Sequence, residues 1–251
     1  MQKEELLLQK RFIELSKNAY HRNIVMYSDF LNLNELHILH TMPKGSLFTE
    51  FQTFGGYEYS ERQIVAFLPD ALCHEQKYPL TILKITPLQK KFAEKLNHRD
   101  YLGGILNLGI ERSKLGDILV WEDSAVIFVQ SNLAHFLMEQ LTRIKHTSVM
   151  MTAEDPEEFH YQPQFEECSG SVASVRLDSL LSLAFHFSRS KAVPLIEGGR
   201  VFVNGKLITT NSFQVKTDDI ISARGLGRFL YAGSQSQSKK GRYFVSVKIY
   251  K

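Results

Sequence analysis

The chain has 251 residues, of which 43% are hydrophobic, enough to build cores for two or three small domains. No apolar run approaches the ~20 residues of a membrane-spanning helix, and the first ten residues, MQKEELLLQK, lack the pattern of a signal peptide. Its two cysteines, Cys73 and Cys168, lie far apart without metal-ligand spacing. We therefore expect a reduced, cytoplasmic protein with no membrane span, metal or cofactor.

The charge is distributed unevenly along the chain. The net charge is only +3, but residues 172–251 contain 13 Lys/Arg and 4 Asp/Glu, a net +9, while the remainder is net −6. Such asymmetry is typical of nucleic-acid-binding proteins. A solvated basic face on an ordinary domain is the alternative.

A small N-terminal α+β domain is predicted over residues 1–76. Apolar spacing predicts helices near 3–17 and 29–41 and strands over 47–54 and 63–67. The strands are connected by GGYEYSER at 55–62, where paired glycines permit positive φ or a close backbone approach.

The middle segment, 77–153, reads as βαββαβ, a ferredoxin-like or RRM-like sheet with helices on one face. The predicted elements are a strand at 80–85, helices at 87–96 and 100–108, a hairpin of 116–121 with 125–130, a helix from Ser131 to about 144, and a strand at 147–151. Because the RNA-stacking signature of true RRMs is absent, Trp121 and Phe128 are predicted to be core residues.

Two loops of this segment carry polar side chains, HRDY at 98–101, predicted to join two helices, and GIERSKLGD at 109–117. One interpretation is a secondary RNA or ribosome contact, through His98, Arg99, Arg112 and Lys114. The other is structural, with Asp100 as a helix N-cap and Arg99 in an ion pair. Both stay open. After this segment, residues 154–171 are predicted to be an acidic linker, since 154–167 contain six acids, two prolines and no Lys or Arg.

Two short helices open the C-terminal segment, 172–251. An apolar stripe predicts the first helix, through Leu177, Leu180, Leu181 and Ala184. Ser188 is a predicted N-cap of the second, which Gly198-Gly199 end. Arg189 and Lys191 in its first turn oppose the helix dipole unless an anion binds there, so they indicate a phosphate site.

A hairpin and a basic tail follow. Asn204-Gly205 is a strong two-residue hairpin signal. The polar stretch 234–242 is predicted to be a flexible loop that follows a phosphate backbone, with cations at its end: Lys239, Lys240 and Arg242.

This segment resembles the αL-type RNA-binding domain named after small-subunit ribosomal protein four. The matching positions are Arg176, Leu177, Asp178, Leu181, Ser188, Arg189, Ser190, Ala192, Leu195, Ile196, Gly199, Val201, Val203, Asn204, Gly205, Val215, Asp219 and Ile220. One departure is Asp218, where the family usually has glycine; aspartate tolerates left-handed backbone, so we expect the turn to survive.

Over its whole length the chain resembles the YlmH family of bacterial RNA-binding proteins. The carrying motifs are Gly55-Gly56-Tyr57 with Glu61-Arg62, HRDYLG from His98, LNLGI from Leu106 and LGDI from Leu115. The resemblance implies a cytoplasmic factor that binds the large ribosomal subunit with peptidyl-tRNA in quality control of stalled nascent chains. It also implies other quality-control factors as partners and, from gene neighbourhood, a link to cell division.

The first functional hypothesis is a monomeric, non-catalytic protein that binds rRNA or tRNA. Its predicted contacts are Arg176, Ser188, Arg189, Ser190, Lys191, Arg200, Asn204, Lys206, Arg224, Arg228, Lys239, Lys240 and Arg242. The second is an RNA-modifying enzyme of the pseudouridine synthase or methyltransferase type. Asp100 and Asp117 are its candidate acids, neither in a G-R-L-D context, and RGLGR at 224–228 is a weak glycine motif. The third is a scaffold whose acidic part holds a protein partner.

Overall fold

A computed structural model describes residues 2–43, 45–69, 77–156, 159–238 and 241–250. The chain divides into two compact units, Met1–Tyr161 and Gln162–Lys251. The predicted boundary at 76/77 adjoins residues 70–76, which are outside the described residues, as is Cys73.

The first unit opens with two helices on a three-stranded antiparallel sheet. Its elements are α1 (Gln2–Arg22), β1 (Met26–Leu31), α2 (Leu33–His40), β2 (Glu50–Phe54) and β3 (Gln63–Leu68), with strand order β1-β3-β2. Phe12 of α1, Leu39 of α2 and Phe67 of β3 are buried together in the core between these layers. The predicted pair of strands is confirmed.

The predicted helix at 29–41 is wrong in its first half. Residues 26–31 form β1 instead, paired with β3, and the helix begins only after Asn32. The Asn32 side chain accepts hydrogen bonds from the backbone N–H groups of Asn34 and Glu35, and the Glu35 carboxylate accepts from the Asn32 N–H. This capping box fixes the helix start.

A five-stranded antiparallel sheet with two helices completes the first unit. The elements are β4 (Leu80–Pro87), α3 (His98–Leu106), β5 (Leu115–Val120), β6 (Ala125–Gln130), α4 (Ser131–Gln140), β7 (Arg143–Ile144) and β8 (Thr147–Glu154). The strand order is β5-β6-β4-β8-β7. Ile105 of α3 and Leu137 of α4 are buried against one face of this sheet.

The predicted helix at 87–96 is wrong. Pro87 ends β4, and helical structure is limited to one 3-10 turn, Lys90–Phe92. Phe92 is 74% exposed. Further along, Leu96 enters the core, and Glu94 bonds to the Thr147 hydroxyl and the His146 N–H. These long-range contacts stabilise an extended path that local helix propensity does not predict.

Aromatic residues cover the other face of the five-stranded sheet. Phe128 is fully buried, and the Tyr57 ring stacks on it with centroids 5.0 Å apart. Phe159 and Tyr161 pack on Tyr57 from the side. The surface over Phe128 is therefore covered by the chain's own Tyr57 ring. Trp121 was predicted to be buried, but it is 42% exposed because it lies just beyond the end of β5.

The second unit is a six-stranded sheet with two helices. Its elements are β9 (Phe165–Val172), α5 (Leu177–Ala184), α6 (Arg189–Glu197), β10 (Val201–Val203), β11 (Lys206–Leu207), β12 (Ile220–Ala223), β13 (Gly227–Gln237) and β14 (Tyr243–Tyr250). The strand order is β11-β10-β12-β13-β14-β9. Both helices bury their apolar stripes on one sheet face, including Leu181 and Ile196 against Val201 and Val245.

Two predicted loops of this region form strands. Residues 165–171 of the predicted acidic linker belong to β9, which pairs with β14 along its whole length. The first four residues of the predicted flexible loop at 234–242 belong to strand β13, which ends at Gln237. Beyond it, the Ser238 N–H donates to Arg242 O at 2.7 Å.

The predicted turns of the second unit have the expected backbone geometry. Asn204 and Gly205 have φ values of 50° and 76°, as a type I′ hairpin requires. Helix α6 ends as predicted: Gly199 has φ +68°, and the Arg200 N–H reaches back to Leu195 O at 3.0 Å. Asp218 takes φ 68°, so the turn survives the glycine replacement.

Candidate nucleic-acid interface

A buried carboxylate organises the helical part of the C-terminal unit. Asp178 lies in the first turn of α5, and its side chain is 3% exposed. It accepts from Arg176 at 3.2 Å and from Nε and Nη2 of Arg189, with Nε at 3.1 Å. The two predicted RNA contacts Arg176 and Arg189 are therefore partly neutralised, although the Arg189 side chain is 51% exposed. The sequence patterns did not predict this ion-pair cluster.

The start of α6 departs from the predicted cap. Ser188 is the N-cap by position, but its hydroxyl bonds to the Ser190 hydroxyl at 2.7 Å and makes no capping bond. Lys191 lies in the same exposed turn. Uncapped N–H groups and exposed hydroxyls at a helix start suit an anion, and Lys191 adds positive charge there.

A second group of cations lies at one end of the sheet, where β10 and β13 begin and β12 ends. Arg200 precedes β10 and donates to Arg224 O at 2.8 Å, while Arg224 follows β12. The Arg224 guanidinium lies over the Phe202 ring at 5.0 Å, and that of Arg228 lies over Tyr250 at 4.2 Å. We name Arg200, Arg224 and Arg228 the strand-end cluster.

The remaining predicted contacts have mixed surroundings. Lys206 is exposed on the short strand β11. The Asn204 amide is held within the fold, donating to Asp219 and accepting from the Ile220 N–H. Arg242 donates to the hydroxyl and carbonyl of Ser171 at 2.9 and 2.7 Å. Lys239 and Lys240 lie outside the described residues.

The secondary set in the first unit is only partly exposed. Arg112 donates to the carbonyl oxygens of Leu115 and Gly116. Burial, followed by the nearby Arg62 guanidinium, lowers the pKa of Arg112 to about 10. Lys114 pairs with Asp29 at 2.7 Å. Two of the four side chains are therefore used to hold the fold together.

The other two side chains of that set are exposed in the first turn of α3. His98 and Arg99 lie in the helix itself, whereas a loop between two helices was predicted. Asn97 is the N-cap, not Asp100, whose carboxylate instead completes a capping box and pairs with Lys145 at 2.7 Å. The proposed ion pair of this turn thus belongs to Asp100 rather than to Arg99.

Asp29 gives the first unit a pH-dependent contribution to stability. Burial acts to raise the pKa of this carboxyl, but hydrogen bonds from Lys114, Gln130 and Arg11 outweigh it and hold the pKa below its ordinary value. As the pH falls, the carboxyl is protonated in the unfolded chain before it is protonated in the folded one, so its contribution to stability is lost below about pH 4.

The Asp29→Asn variant should lose less stability than the wild type between pH 6 and pH 3. Urea unfolding followed by fluorescence of the single tryptophan, Trp121, measures this; parallel pH curves would contradict it.

The two acids considered for catalysis are engaged in the fold. Asp117 accepts from the Tyr57 hydroxyl at 2.8 Å and from the backbone N–H groups of Glu61 and Arg62 at 2.7 and 3.1 Å, so it fastens the 55–62 loop to β5. Asp100 is held by Lys145 and by the Asn97 N–H. Among the described residues, no three His, Cys, Asp or Glu side chains are grouped to hold a metal.

Known protein-family models match segments in both units of the chain. Residues 73–158 match the family "Putative RNA-binding domain in YlmH", and residues 175–221 match the S4 domain. The chain is also 27% identical over 223 residues to the ribosome-associated protein quality control protein P2 of Bacillus subtilis (strain 168), covering 87% of this chain and 85% of that protein. Together these matches support a relationship to the YlmH family.

A solved structure supports the fold of this chain. The cell division protein ylmH from Streptococcus pneumoniae matches with a TM-score of 0.51 and 24% identity, covering 62% of this chain and 95% of the other. At that identity the likeness shows the fold alone. In the part of the chain that the structure describes, no helix is long and apolar enough to cross a membrane.

The structure places three further side chains near the strand-end cluster that the sequence patterns did not predict. Tyr250 and Phe165 lie beside the strand-end cluster, with ring centroids 4.8 Å apart. Lys248 is on the same strand as Tyr250. The available signal for two of them was Lys248 and Tyr250, which lie two positions apart in YFVSVKIY, 243–250, and so share one face of a strand.

Proposed function

We propose that this protein is a non-catalytic cytoplasmic factor, monomeric when free, that binds rRNA or tRNA on the large ribosomal subunit with peptidyl-tRNA. In this proposal it acts in quality control of stalled nascent chains, and the name of its B. subtilis relative, a ribosome-associated protein quality control protein, supports the coarser part of that role. Other quality-control factors are proposed partners. The link to cell division stays a prediction.

The observation that carries the proposal is the exposed positive charge of the C-terminal unit. Arg200 contacts a carbonyl and Arg224 an aromatic ring. Among the described residues, neither has a carboxylate within salt-bridge distance, and both are exposed, as is Lys191. Bound phosphates would supply the missing counter-charge.

Two finer features of the fold belong to the same proposal. The order β5-β6-β4-β8 with α3 and α4 on one face supports an RRM-like middle domain. In such a domain, the cover of Tyr57 over Phe128 removes the usual stacking surface. The helix pair α5–α6 followed by the Asn204-Gly205 hairpin supports the αL-type module. We infer that this module, rather than the middle sheet, makes the principal RNA contact.

Charge removal tests the proposal. The triple variant Lys191→Ala/Arg200→Ala/Arg224→Ala should bind large ribosomal subunits more weakly. The slope of its log binding constant against log salt concentration should be shallower by about one for each lost phosphate contact. The matched control is Lys3→Ala/Lys10→Ala/Lys17→Ala, which removes three exposed cations from α1 and should leave affinity nearly unchanged. Equal affinities and salt slopes for the wild type and the first variant would reject the proposal.

A further inference from the structure

The C-terminal sheet has a second face that the S4-type helices do not use. Both helices of this unit, as far as the structure describes it, pack on the inner face with Val245, Val247 and Phe229. Side chains alternate along a strand, so Phe244, Ser246, Lys248 and Tyr250 point to the opposite, outer face.

A row of directly paired residues crosses five strands on this outer face. Phe202 pairs with Ser222, which pairs with Arg228. The pairing of Phe229 with Ile249 places Arg228 beside Tyr250, and Tyr250 pairs with Phe165. We name Phe202, Ser222, Arg228, Tyr250 and Phe165 the outer row. At about 4.8 Å between strands, it spans roughly 19 Å.

The outer row combines aromatic rings with cations, but Phe202 is only 2% exposed beneath Arg224, so Tyr250 and Phe165 provide its accessible rings. Arg228 lies 4.2 Å over the Tyr250 ring, and Lys248 lies 6.0 Å from the Phe165 ring. Phe165 is 40% exposed although it belongs to a regular strand. Lys248 also lies 3.8 Å from Glu167, so its charge is partly balanced.

Small side chains keep the neighbouring surface flat. Ser169 and Ser246 are paired across β9 and β14, and their hydroxyls are hydrogen-bonded at 3.2 Å. Ser171 is paired with the exposed Phe244, which adds another ring to the same face. A flat surface with exposed rings and flanking cations matches the physical requirements of a base-stacking platform.

We propose that this outer sheet face binds single-stranded RNA. Tyr250 and Phe165 stack unpaired bases, while Arg228, Lys248 and Arg224 contact the phosphates. A duplex is a poor ligand because its bases are already stacked within the helix. The inference rests on the proposed RNA-binding function and adds to it a second site and a class of RNA. Arg224 and Arg228 also belong to the strand-end cluster. One RNA can therefore bind that cluster with a folded part and continue over this face as a single strand.

The test uses the full chain and a fluorescein-labelled ten-nucleotide oligouridine, with an RNA duplex of equal length as comparison. The variant is Phe165→Ser/Tyr250→Ser, with circular dichroism and thermal melting to check its fold. It should lose at least about tenfold in affinity for the single strand, while its binding to the duplex and to large ribosomal subunits changes little. The control Phe92→Ser removes an exposed ring from the first unit and should have no effect.

The outcomes separate this inference from the proposed function. Loss of single-strand binding with retained subunit binding supports the outer sheet face as a distinct site. Unchanged single-strand affinity in a folded Phe165→Ser/Tyr250→Ser protein overturns the inference, as does a wild type that binds duplex but no single strand. Neither overturning result bears on the proposed function, which fails only if the Lys191/Arg200/Arg224 triple binds subunits normally.

Discussion

Replacing Asp178 by alanine should destabilise the C-terminal unit by about 3 kcal/mol, within the range for breaking a buried ion pair. The carboxylate is nearly inaccessible, and it holds two guanidinium groups, one from the start of α5 and one from the start of α6. Without it, Arg176 and Arg189 face each other at a helix start, where the dipole is also positive. Part of the cost is relieved by water, because the side chains of Arg176 and Arg189 are 33% and 51% exposed.

Amide hydrogen exchange of α5 measures the loss of stability in the C-terminal unit, which contains Asp178. Glu167→Ala is the matched control, because its carboxylate is 68% exposed and 3.8 Å from Lys248, and such surface pairs contribute about 0–1 kcal/mol. The double variant Arg189→Ala/Asp178→Ala should lose less stability than the sum of the losses measured for the two single variants. Strictly additive effects, or an Asp178→Ala protein as protected as the control, would show that the cluster is not coupled.

Replacing Gly56 by alanine should destabilise the first unit by about 3 kcal/mol. Gly56 has φ +102°, and an added Cβ would lie 2.3 Å from Cδ1 of Phe128. Phe128 has no room to yield, since it is fully buried beneath the stacked Tyr57 ring. Backbone strain of about 1–2 kcal/mol therefore adds to an overpacking cost of about 1–3 kcal/mol.

Urea unfolding followed by Trp121 fluorescence measures the Gly56→Ala effect. Gly109→Ala separates the two contributions, because Gly109 has a similar positive φ of +82° but open space around its Cα. It should cost only the backbone part. If both variants were equally stable, the close packing of the 55–62 loop on the sheet would be unimportant for stability.

Elements whose cause is local were predictable from the sequence. Asn204-Gly205 requires positive φ at two consecutive residues, which few other pairs tolerate, so the hairpin could be placed to the residue. The same holds for the end of α6 at Gly199. Strands β5 and β6 were recognisable because they carry apolar runs divided by a short polar turn.

Elements whose cause lies far along the chain were missed. Strand β9 reads as acidic and polar, with only Val172 buried, because it is an edge strand that β14 holds in place. In the candidate site, the positive residues were recognisable individually, but their environment was not. The partner that neutralises Arg189 is eleven residues away, and the ring beneath Arg228 lies on another strand. Local patterns carry no information on such contacts.

Crosslinking in living cells, with both the attached RNA and the crosslinked peptides sequenced, tests most directly whether the C-terminal unit is the RNA-binding surface. We expect peptides from the C-terminal unit, residues 162–251, joined to large-subunit rRNA or tRNA. Crosslinks confined to peptides from residues 1–161, or to RNA that is neither large-subunit rRNA nor tRNA, would contradict this assignment.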